Sequence, residues 1–184
     1  VRAIPLLKRV LAKMAGQTEQ RARGLHNLGA VYLELGEFGP AEEYLIEARW
    51  IAREVLQPGH PLRVTCSSSV VLLEIYRKRP DSAERYLAEA QEEASAGPQS
   101  EGELMPIESY RAVLLEQRGR FAETIEVEEG LLRRQVKLLA PSHPALLANV
   151  ATYDRLLGKV KDREGRQRVS RWRKTQDAYS LFKP

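Results

Sequence analysis

A single cysteine, Cys66, in 184 residues excludes an internal disulfide and any cysteine-cluster metal site. Histidine is almost as scarce. His26, His60 and His143 are the only side chains whose unperturbed titration lies near neutral pH, and no two of them have the i, i+4 spacing of a helical metal pair. Neither a G-x-S-x-G elbow nor a glycine-rich phosphate loop is present, and Cys66 has no basic neighbour in sequence. The best apolar run, Val70 to Leu73, stops at Glu74 after four residues, far short of the roughly 20 that cross a bilayer. Ile4 to Met14 is broken by Lys8, Arg9 and Lys13, which makes it an amphipathic helix and not a signal-peptide core. These absences argue against a disulfide scaffold, a helical membrane protein and the familiar catalytic constellations. The expectation is a soluble, cytoplasmic, non-enzymatic chain without a cofactor.

What is abundant is helix-forming. Leu, Ala, Glu and Arg dominate, strand-marking clusters of β-branched and aromatic residues are few, and 43% hydrophobic with 29% charged residues is a globular composition. The chain therefore reads as all-α. It starts at Val1 in a helical pattern, which suggests a piece of a longer protein.

Leu25, Leu28, Gly29 and Tyr32 set one helix face, Gly36 and Phe38 mark a turn, and Ala41, Leu45 and Ala48 set the face of a second helix that stops at Gln-Pro-Gly-His-Pro, 57–61. Gly29, Ala41 and Ala48 are small enough for two helix backbones to approach, and the larger residues fill the space around them. The pattern recurs. Ala83, Leu87 and Ala90 lie 42 residues on, where Asp81 and Glu84 suggest a capping box. Gly119-Arg120-Phe121 repeats the turn, and Ala-Pro-Ser-His-Pro, 140–144, repeats the stop, both 83 residues on. Leu147, Val150, Ala151, Asp154 and Gly158 suggest a fourth copy.

The L-x2-L-G-x2-Y and A-x3 spacings resemble tetratricopeptide repeats, of the roughly 42-residue type seen in kinesin light chains. The resemblance implies a right-handed α-solenoid divided as 1–21 (a partial repeat or cap), 22–61, 62–104, 105–143, and 144–184 with a basic capping helix. It also implies a concave groove of first helices in which an Asn hydrogen-bonds a peptide backbone, and hence a protein or peptide partner. Asn27 and Asn149 fall in one register on this reading, with Ser69 and Tyr110 between them; Arg23, His26, Ala30, Leu72, Val113, Thr152 and Arg155 share their face. The alternative is that both Asn are simply solvated.

Charge supplies a rival. The chain carries +4, yet Lys159 to Lys174 alone carries +6, so a helix with Arg163, Arg166, Arg168, Arg171 and Arg173 is either a solvated cap or an adaptor for an anion, a nucleic acid or an acidic partner. Val169, Trp172, Gln176 and Tyr179 would form its packed face, and the apolar tail 179–184 would dock on a neighbour or a second chain, giving self-association. Glu42-Glu43, Glu92-Glu93 and Glu128-Glu129 read as solvated pairs.

Overall fold

The computed structural model describes residues 3–14, 16–176 and 181–182, and among these the chain forms helices and turns without a strand. The order is α1 (Ala3–Leu11), α2 (Glu19–Glu34), α3 (Phe38–Val55), α4 (Pro61–Tyr76), α5 (Pro80–Ser95), α6 (Glu101–Gln117), α7 (Phe121–Leu138), α8 (Pro144–Lys159) and α9 (Arg163–Thr175). The fold class is all-α. Two compact units divide it, Val1–Tyr110 and Arg111–Pro184.

Local chemistry sets the helix starts. Thr18 Oγ1 accepts from Arg21 N at 3.2 Å and Asp162 Oδ1 from Gly165 N at 2.9 Å. The two His-Pro steps do the same: His60 Nδ1 accepts from Leu62 N and His143 Nδ1 from Ala145 N, both at 3.2 Å, with proline at the position where a missing N–H costs nothing. Asp81 does not cap α5. It lies inside the first turn after Pro80, and Arg79 at the boundary makes no side-chain cap. Ahead of α6, which begins at Glu101, Glu103 reaches back to accept from Ser100 N at 2.9 Å.

The turns between paired helices share a left-handed residue: Gly36, Lys78, Gly119 and Lys161, with φ of 74°, 57°, 73° and 60°. The helices after them start at Phe38, Pro80, Phe121 and Arg163, spaced 42, 41 and 42 residues apart. The expected turn at Gly158 is a correction, since Gly158 lies inside α8 and Lys161 makes the turn three residues later. Asn27 therefore corresponds to Thr152 and not to Asn149.

In the first unit, Leu25, Leu28 and Tyr32 of α2 close on Ala41, Leu45 and Ala48 of α3, with Cys66, Val70 and Leu73 of α4 continuing the core. A Cβ on Gly29 would lie 2.7 Å from Leu45 Cγ, so the two helices are as close there as the small-residue spacing predicts. Burial pushes the Cys66 thiol up to about 12, which leaves it unreactive. In the second unit, Leu132, Leu146, Val150, Tyr153, Val169 and Trp172 form one cluster with Leu181. The described part of the tail is thus docked within its own unit, with the Arg133 guanidinium 4.3 Å from the centre of the Phe182 ring. Tyr179 lies outside the described residues.

Candidate functional site

Helical periodicity brings Arg23, His26 and Asn27 to the face of α2 opposite its buried stripe of Leu25 and Leu28, and α4 supplies Thr65 and Ser69 beside them. A cleft of about 360 Å³ opens here, lined by Glu19, Arg23, His26 and Asn27, by His60, Pro61, Leu62 and Thr65, and by Glu103. Of the lining residues, His26 meets Ser69 Oγ through Nε2 at 2.8 Å, and its Nδ1 lies 3.4 Å from Asn27 Oδ1. Burial lowers the His26 pKa below its ordinary value, with the nearby Arg23 charge acting the same way and the Asn27 contact opposing. The ring is accordingly neutral at neutral pH. A neutral imidazole with Nδ1–H toward Asn27 Oδ1 accepts from the Ser69 hydroxyl, which ties α2 to α4 and leaves the Asn27 amide nitrogen unspent in this contact. Arg23 pairs with Glu19 at 2.7 Å one turn away.

The other expected groove residues divide. Ala30 is half-buried on α2, and Leu72 packs against the first core. Tyr110 is half-buried, its hydroxyl pKa raised by burial and by Tyr76. Val113, Asn149, Thr152 and Arg155 belong to the second unit. Asn149 is half-buried, and its Nδ2 donates to Gln135 Oε1 of α7 at 2.9 Å. Arg155 is engaged too, donating to Glu116 Oε2 at 2.8 Å and through its other arm to Oε1, while Lys159 Nζ donates to Glu116 Oε1 at 3.1 Å. The Arg155 hydrogen bonds hold the Glu116 carboxyl down at about 2.

The basic helix is less exposed in charge than its composition suggests. Arg166 and Arg173 both pair with Asp154, at 3.2 and 3.1 Å. Arg163 and Arg166 line a shallow cleft of about 230 Å³, and Arg168 and Arg171 line another of about 260 Å³ that also contains Glu164. Val169 and Trp172 are buried as expected, whereas Gln176 is an exposed left-handed cap.

Two carboxylates expected in solvent are in the interior. Glu93 is 5% exposed and accepts from Arg63 NH2 at 2.6 Å. Glu128 is 8% exposed, 83 residues after the core residue Leu45, and that offset is the signal that places it. His60 also reaches the cleft while capping α4. Among the described residues there is no grouping of three metal-ligating side chains and no helix long and apolar enough to cross a membrane.

Residues 2–92 match the family model described as Tetratricopeptide repeat. Two solved structures of a Podosopora anserina putative kinesin light chain with nearly identical TPR-like repeats share the fold. The Q17M form is 22% identical with a TM-score of 0.70, covering 95% of this chain and 87% of that one. The other is 20% identical with a TM-score of 0.68, covering 96% and 89%. No curated protein matches the sequence.

Proposed function

The chain carries tetratricopeptide repeats of the kinesin-light-chain-like type, and from that premise, which indicates a protein-interaction scaffold, we propose that it captures an extended peptide in the cleft between α2 and α4. The observation that carries this reading is the constellation of Asn27, Arg23 and His60 around one cleft, with the Asn27 carboxamide held by neutral His26. A carboxamide offers a donor and an acceptor to a peptide backbone, and the Leu62 and Pro61 side chains supply apolar wall. Binding makes or breaks no covalent bond. The repeat boundaries 22–61, 62–104, 105–143 and 144–184 and a cytoplasmic setting belong to the same proposal.

Peptide display against the full chain tests it. Selected peptides should lose at least tenfold in affinity, about 1.4 kcal/mol, with Asn27→Ala. Changing Arg166, Arg168 and Arg171 together to Glu should leave binding intact. The reverse pattern, together with a steep fall of affinity in salt, would replace the cleft with the basic helix as the binding surface.

A further inference from the structure

Glu128 occupies the place in α7 that Leu45 has in α3 and Leu87 in α5, 83 and 41 residues earlier, and all three are buried. Its Oε2 is buried without a hydrogen-bond partner. The nearest hydroxyl on its own helix face, Thr124 one turn before, is committed to Arg120 O at 2.9 Å. Two further elements bring charge toward it. Glu116 of α6 repels the ionised form, and Arg155 of α8, whose two guanidinium arms are both engaged with Glu116 where Lys159 adds a third contact, attracts it more weakly. An ionised carboxyl in such a place has given up its water without an ion partner or a full set of hydrogen bonds in return, so it takes a proton instead.

We propose that Glu128 is a proton-operated latch of the Arg111–Pro184 unit: with the carboxyl neutral, α7 packs as an ordinary repeat helix, and on ionisation this face loosens. The device stands independently of what the α2–α4 cleft binds. Burial first, and the Glu116 charge second, raise the ionisation from the ordinary 4.5 to about 7. The folded chain therefore holds this proton more tightly than the unfolded chain. The stability it contributes is fully present below about 4.5 and is lost as pH rises through about 7. Glu116 acts with the opposite sign in a separate window, contributing stability above about 4.5 that is lost as pH falls toward about 2.

The experiment is thermal unfolding of the full chain at pH 5.5 and 8.5, with a side-chain carboxyl NMR titration of Glu128 and amide exchange read over α7. The wild-type midpoint should fall by about 5 °C between the two pH values, the protection of α7 amides relative to their intrinsic exchange at each pH should fall, and the carboxyl should be half-ionised near neutrality. Glu128→Gln should abolish this fall, leaving only the opposite, rising contribution of buried neutral His26. Glu128→Leu, which restores the residue found in α3, should abolish the fall and raise the midpoint at pH 8.5, and serves alone if the amide variant does not fold. Titration of Glu128 in the ordinary carboxylate range, or a wild-type slope surviving in either folded variant, would overturn the proposal.

Discussion

Gly29 and Gly130 both sit inside helices, where glycine costs about 1 kcal/mol relative to alanine, yet they should respond to the same substitution with opposite signs. A Cβ at Gly29 would meet Leu45 Cγ at 2.7 Å, Cδ2 at 2.8 Å and the Leu45 backbone nitrogen at 3.1 Å. Leu45 is fully buried and has no room to withdraw. Overpacking of this kind costs about 1–3 kcal/mol and outweighs the gain in helix propensity, so Gly29→Ala should destabilise by about 1 kcal/mol. At Gly130 nothing lies within 4 Å of the added atom, and Gly130→Ala should stabilise by up to about 1 kcal/mol. Urea midpoints of the two variants, at unchanged slope, check the signs. If both stabilise, the α2–α3 approach is looser than described.

At the scale of an element, the turn after α8 separates what the sequence makes legible from what it hides. Lys161 adopts φ of 60°, a region that costs a residue with a Cβ about 1 kcal/mol, whereas Gly158 spends its flexibility inside the helix. An added Cβ at Gly158 approaches nothing nearer than the Arg166 guanidinium at 4.0 Å. Lys161→Gly and Gly158→Ala should therefore each raise stability by about 1 kcal/mol, as measured by chemical unfolding. The hairpins were legible because Leu25, Leu28, Tyr32, Ala41, Leu45 and Ala48 are selected by many packing contacts at once. A turn glycine is worth only about 1 kcal/mol either way, too little to force its choice, so taking Gly158 for the marker slid α8 by three residues and put Asn149 in the register of Asn27. Arg23, His26 and Asn27 were legible as one helix face. In the sequence His60 is visible only as part of a helix stop, because its capping role and its place in the cleft depend on a backbone bend. Glu93 and Glu128 were misread for a related reason: adjacent glutamates on a helix lie about 100° apart, and composition does not say which one faces inward.

Across the whole molecule, the same seam is closed by two different chemistries. In the first unit Arg49, Arg53 and Arg63 gather around Glu89 and Glu93, with the Arg49 guanidinium 5.4 Å from the centre of the Tyr86 ring. The same positions, 83 residues later, read Leu132, Val136 and Leu146 with Val169 and Trp172 in the second unit, while the counterpart of Glu93 is the exposed Gln176. The ionic version carries a desolvation cost that its attraction only offsets: Arg63 Nε and Glu93 Oε2 are buried without partners, although Arg63 NH1 also donates to Leu56 O at 3.1 Å. The apolar version gains from burial directly, at about 25 cal/mol per Å². Removing one partner should thus be far worse than removing both. Glu93→Ala strands Arg63 in the interior and should cost about 3–5 kcal/mol, whereas Arg63→Leu with Glu93→Met, an apolar filling of similar volume, should restore most of that loss. The readout is amide-exchange protection in α4 and α5 of the full chain, which reports this seam and not the mean of two units. Equal losses in the single and the double variant would mean that the ion pairs hold the seam through geometry that an apolar filling cannot replace.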